Sequence, residues 1–97
     1  MNNEVNAAQG KVWEAQAILT RKNGLVLKWE SLVKIASAKE LAELAQVGEA
    51  ALATRQESRQ ALNQRTLAKR AQATAERNLA AAQAALAAAL EAWKPQA

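Results

Sequence analysis

The chain has 97 residues, carries 13 basic and nine acidic side chains for a net charge of +4, and contains no cysteine or histidine. This length allows one domain, near the lower end of what a single hydrophobic core can stabilise. Because Asp and Tyr are absent as well, the chain can form no disulfide or thiolate, and only Ser, Thr, Lys, Arg and Glu remain for catalysis or metal binding. We therefore expect that the chain is not an enzyme and that it has no catalytic, cofactor-binding or metal-ligating residues.

The first predicted element is a helix over about residues 4–22. Its apolar residues alternate spacings of three and four, which places them on one stripe, and they are Val5, Ala8, Val12, Ala15 and Leu19. The segment TRKNG (20–24) then predicts the helix end. Arg21 and Lys22 suit a last turn, and Asn23 and Gly24 tolerate the left-handed conformation.

The next segment, residues 25–36, fits two interpretations. Its Val, Ile and Trp content suits a strand, whereas the spacing of Val26, Trp29, Val33 and Ala36 suits a helix. No second strand with turn residues is available to pair with it. The helix interpretation is therefore favoured.

Ser37 and Glu40 form a capping-box pattern, which predicts a new helix from about Ala38. The alternative is that both residues lie within a longer helix by coincidence. Only Gly48 interrupts good helix formers from there to Trp93, so the helix would be about 55 residues and ~80 Å long. Lys94-Pro95 predicts its end, and the polar run 54–60 is the expected place for any bend.

These elements predict an all-α single domain over residues 1–97. It would consist of N-terminal helices (1–36), one long alanine-rich helix (37–94) and a short tail (95–97). A short helix or helical hairpin would thus precede the long helix, with coiled-coil or helical-bundle packing.

A seven-residue repeat runs along the long helix and defines a seam. One position of the repeat holds Leu44, Ala51, Ser58, Arg65, Gln72, Leu79, Leu86 and Trp93, and the other holds Val47, Thr54, Ala61, Ala68, Ala75, Ala82 and Ala89. Alanine at successive positions lets helix axes approach closely. Arg65 and Gln72 would weaken a simple dimer, although such residues can also set register.

The nearly uncharged stretch 79–93 is too short and too rich in alanine to span a membrane. We expect it to pack, together with the first stripe, against copies of the chain or other subunits. The predicted interface residues are Val5, Val12, Leu19, Leu79, Leu86, Leu90 and Trp93. The alternative is that 79–93 folds back onto helix 1 of the same chain.

Positive charge is concentrated in residues 55–77. The cations that share one broad helix face are Arg55, Arg59, Lys69, Arg70 and Arg77. A solvated face is the simplest interpretation; an acidic protein partner and nucleic acid are the alternatives. No aromatic residue lies between 30 and 92 to stack on a base, which makes nucleic acid the weakest of the three.

Three tryptophans are the only aromatic residues. Trp29 is expected in the core. Trp93 is expected at an interface, because a core formed within one chain is hard to complete near the terminal Pro95. Trp13 lies beside the first stripe and is left open.

The sequence therefore favours a non-enzymatic assembly protein: a structural or scaffold subunit, a homo-oligomer or part of a bacterial or phage assembly. A small helical binder or inhibitor that uses the basic face is the alternative. The start of the chain has Glu4 and no apolar run, so we expect no secretory signal. The expected location is the cytoplasm, or a particle made there.

Overall fold

The computed structural model describes residues 3–93, which form two α-helices joined by a short turn. Helix α1 spans Asn3–Val47 and helix α2 spans Leu52–Ala92. The two helices pack against each other in a rod of 79 × 15 × 13 Å. The all-α prediction is confirmed for the described residues.

The helices run antiparallel, as the polar contacts between them show. As the residue number rises along α1, that of its partner on α2 falls: Asn23 meets Gln72, Glu30 meets Lys69, Lys39 meets Glu57 and Glu43 meets Thr54. The chain is therefore a helical hairpin, with its closed end at residues 48–51.

Helix α1 continues through Asn23 and Gly24, so the predicted helix end at TRKNG is wrong. The stripe before this point and the stripe after it are in phase, because Leu19 and Val26 are seven residues apart. A glycine inside a helix costs about 1 kcal/mol relative to alanine. Burying Val26 and Val33 against α2 contributes more than that, at about 1.5–3 kcal/mol for a fully buried side chain.

The predicted helix start near Ala38 is also wrong, because Ser37 and Glu40 lie inside α1 and are both half-buried. The predicted boundary between residues 36 and 37 therefore does not separate two helices. Residues 25–36 are helical, as favoured. The capping pattern fails because the preceding residues already supply helical hydrogen-bond partners to the chain at this point.

The break between the helices lies at residues 48–51 instead of at 54–60. Gly48 has φ of 85°, the left-handed conformation that glycine adopts without steric cost. Its N–H donates to the Leu44 carbonyl at 3.0 Å, which closes the last turn of α1. One glycine therefore ends the first helix and divides the predicted long helix.

Glu43 ties the turn to the start of α2. Ala51 precedes α2 and offers no side-chain cap. Instead, the Glu43 carboxylate accepts the Ala51 N–H at 3.2 Å and the Thr54 hydroxyl at 2.9 Å. An acidic group at a helix N-terminus also interacts favourably with the helix dipole. Helix α1 thus supplies the cap that α2 lacks.

The interior of the hairpin consists mainly of small side chains. Among the described residues, the buried apolar ones are Val26, Val33, Ala36, Ala50, Ala61, Ala68 and Ala75. Thr54 and Ser58 are the buried polar ones. Alanine buries little more than a methyl group, so the two helices gain close contact but little apolar burial.

Helix α2 ends at Ala92, and the Trp93 N–H donates to the Ala89 carbonyl at 3.0 Å. The predicted stop at Lys94-Pro95 and the tail 95–97 lie outside the described residues.

The two glycines at the predicted and observed helix ends give a matched test of the fold. Gly24→Ala should stabilise the hairpin by about 0.5–1 kcal/mol, because Gly24 is helical and an added Cβ meets no atom within 4 Å. Gly48→Ala should destabilise it by about 1–2 kcal/mol, because its left-handed φ disfavours a side chain. Urea unfolding followed by circular dichroism measures both. A destabilising Gly24→Ala would place the helix end at residue 24.

Candidate interaction surfaces

Five of the seven predicted interface residues lie within the hairpin. Val5, Val12, Leu19, Leu79 and Leu86 are half-buried on the sides where α1 and α2 face each other. Leu90 and Trp93 remain exposed. The stretch 79–93 therefore folds back onto the first stripe, the arrangement that the sequence left as the alternative.

The seven-residue repeat predicted for the long helix coincides with the buried side of α2. Its alanine position, from Ala61 through Ala75, holds the most buried residues of this helix. The same repeat fails before the turn, where Leu44 and Val47 are exposed, because the chain reverses at Gly48. The repeat thus marks the side of α2 that contacts α1.

Two polar residues lie near the middle of this buried side. Arg65 and Gln72 are both half-buried. The Gln72 amide donates to Asn23 Oδ1 at 2.8 Å. This exposed hydrogen bond joins the middle of α2 to the point where α1 was predicted to end.

All five residues of the predicted basic face are exposed along α2. Its members are Arg55, Arg59, Lys69, Arg70 and Arg77. Lys69 Nζ lies 3.7 Å from Glu30 Oε1, and Arg77 donates to the Thr74 hydroxyl at 3.2 Å. Exposed ion pairs of this kind contribute about 0–1 kcal/mol, so the cations stay accessible to an acidic partner.

The tryptophans occupy different environments. Trp29 is half-buried between the helices, with Lys28 Nζ 5.7 Å from its ring centroid. Trp13 is 68% exposed and Trp93 is also largely accessible.

Two grooves open between the helices. The larger, of about 390 Å³, is lined mainly by Trp29, Leu32, Ile35 and Ala36 of α1 and by Ala61 of α2, and Lys39 and Glu57 meet at 3.4 Å on its rim. The smaller, of about 210 Å³, lies toward the open end of the hairpin. It includes Lys11, Glu14 and Ile18 of α1 and Ala75, Asn78 and Ala82 of α2.

Both grooves open on the same side of the rod. Ile18 lines one groove and Leu32 lines the other, and the seven-residue repeat places Leu25 midway between them on the same side. On α2, Leu67 lies one repeat beyond Gln60, which lines the larger groove. We call this side the groove face and define it by Ile18, Leu25, Leu32, Ile35 and Leu67.

Sequence reasoning missed the groove face, although a signal for it was present. Ile18, Leu25 and Leu32 repeat every seven residues outside the main stripe, a second apolar line on the same helix. Each member of this line is adjacent to a residue of the first stripe or its continuation, so the pattern resembles a wider version of that one stripe.

The described residues contain no helix long and apolar enough to cross a membrane, and no group of three or more acidic side chains that could hold a metal ion. Comparison with protein-family models, characterised proteins and solved structures finds no match. The function has to be argued from the surfaces of the hairpin itself.

Two leucines near the end of α2 test whether 79–93 folds back within the chain. Leu86 faces α1 and is half-buried, whereas Leu90 is exposed. Leu86→Ala should lower the free energy of unfolding by about 1–2 kcal/mol, roughly half the cost at a fully buried site. Leu90→Ala should cost less than about 0.5 kcal/mol in the monomer. Urea titrations at low protein concentration measure both variants. Equal losses of unfolding free energy would contradict the packing of 79–93 against helix α1.

Proposed function

We propose that this chain is a non-enzymatic helical interaction protein, a structural or scaffold subunit that packs against copies of itself or against other subunits. The packing would be that of a coiled coil or helical bundle. One observation carries the proposal: the hairpin buries mostly alanine and leaves eleven of its large apolar side chains exposed.

The distribution of large side chains supports this function. Of the residues described, only Val26 and Val33 among those larger than alanine are buried apolar residues. The exposed large ones are Trp13, Leu27, Ile35, Leu41, Leu44, Val47, Leu52, Leu62, Leu67, Leu90 and Trp93. Where such side chains form a contiguous patch, the patch is characteristic of an interaction site.

The accessible area supports the same conclusion. The chain exposes 7129 Å², whereas a compact monomer of 10.4 kDa is expected to expose about 5,400 Å². The excess of about 1,700 Å² is larger than the ~800 Å² that each partner contributes to a standard interface. A partner that covers one side of the rod would remove much of this excess.

A small binder that uses the basic face is the second candidate, supported by five exposed cations along α2. Such a contact depends on charge and would weaken with salt. Apolar packing between helices responds far less to ionic strength.

The molar mass of the purified chain, measured by light scattering across a dilution series at low and high salt, separates the two candidates. The proposed function predicts a species of at least twice 10.4 kDa that persists in high salt. A folded monomer at every concentration would contradict it and would favour the basic binder.

A further inference from the structure

We infer that the groove face binds a second copy of this chain, so that two hairpins pack groove face to groove face in a four-helix bundle. This inference rests on the proposed function and names its partner. It is carried by the placement of large apolar side chains, by the charge pattern of α2, by area, and by the symmetry of the surface.

Helix α1 contributes a line of large apolar side chains to this surface. Ile18, Leu25 and Leu32 recur every seven residues along ~21 Å of helix. They are half-buried at the edge of the α1–α2 contact. Ile35 stands beside Leu32 and is 65% exposed. Full burial of this line requires a third helix beside α1.

Helix α2 carries one charge on the same side, Glu57, which lies 3.4 Å from Lys39 of α1 at the rim of the larger groove, and none from Gln60 onward. From Gln60 to Ala92, the positions that follow the groove face with spacings of four and three are Gln60, Gln64, Leu67, Ala71, Thr74, Asn78, Ala81, Ala85, Ala88 and Ala92. All six charged residues of this range lie at other positions. Because burying an unpaired charge is costly, this is the side of α2 that another helix can cover.

The area of this side suits a stable dimer. The rod is 79 Å long and 15 Å wide, so one side offers about 1,200 Å² against the ~800 Å² per partner of a standard interface. Its small side chains on α2 permit close approach, while the large side chains on α1 supply apolar burial.

The symmetry of the surface favours a second copy over a different protein. Leu25 is the middle residue of α1, and Ile18 and Leu32 lie one repeat to either side of it. A two-fold axis near Leu25 would therefore set the small groove of one copy against the large groove of the other. Such an interface uses the same patch on both chains. Each groove also has one lysine and one glutamate among its lining residues.

The opposite side of α1 offers no comparable surface. Trp13, Leu27 and Leu41 are spaced 14 residues apart, about 21 Å along the helix. The polar Thr20 and Lys34 lie between them. Trp13 and Leu27 stand singly, which is ordinary for a protein surface, whereas Leu41 lies one turn from the exposed Leu44 near the closed end of the hairpin.

One isoleucine and one leucine of α1 give a matched test. Ile35 and Leu27 are both 65% exposed on the same helix. On a helical wheel Ile35 lies about 60° from Leu32 and Leu27 about 140° from it. We compare Ile35→Glu with Leu27→Glu by sedimentation equilibrium of the full chain, with helix content checked by circular dichroism.

The wild-type chain should be a dimer. Ile35→Glu should raise its dissociation constant at least about a hundredfold, because each interface would bury two unpaired carboxylates. Leu27→Glu should change it less than about twofold. Dimerisation that is untouched by Ile35→Glu, or lost with Leu27→Glu, overturns the assignment to the groove face.

A second pair keeps the test decisive if Ile35→Glu loses its helix content. Ile35→Ala removes no helical propensity and should still weaken the dimer at least about tenfold. On α2, Leu67→Glu should dissociate the dimer and Leu52→Glu should not. A wild-type monomer would contradict the proposed function, whereas a wild-type dimer that ignores Ile35 and Leu67 contradicts only the groove assignment.

Discussion

Alanine at successive positions along α2 determines how closely the two helices approach and how little apolar surface they bury between them. Ala61, Ala68 and Ala75 are among the most buried residues described, and each hides only a methyl group. The larger side chains, such as Ile35 and Leu67, therefore lie outside the contact. The exposed apolar surface follows from this choice of residue, whereas the extended shape follows from the length of the two helices, 45 and 41 residues.

Few polar contacts hold the hairpin together, and they are concentrated where the chain reverses. Gly48 ends α1 with a left-handed residue, and the Glu43 carboxylate holds the first residues of α2. Between the helices, an exposed hydrogen bond joins Gln72 to Asn23. The ion pairs at Lys39 and Lys69 are exposed and contribute little. The turn and its contacts with Glu43 thus specify where the chain reverses, while the stability of the hairpin has to come from packing.

The helical class and the side of α2 that contacts α1 could both be predicted from the sequence, because a seven-residue repeat fixes a helix face whatever lies against it. The helix ends could not. Asn23-Gly24 and Ser37 with Glu40 are local signals worth about 1 kcal/mol each, and the in-phase stripes on either side outweigh them through contacts with α2. Gly48 carries the turn with no stronger local signal than Gly24. The groove face was visible only as the line through Ile18, Leu25 and Leu32, whose burial depends on what packs beside it.

The central claim is that a hairpin with an alanine interior draws much of its stability from association. The most direct measurement is the midpoint of thermal unfolding, followed by circular dichroism, as protein concentration is raised about a hundredfold. The account predicts that the midpoint rises by several degrees, because folding is linked to association by mass action. A midpoint that does not change with concentration would contradict it and would show that the two helices are sufficient by themselves.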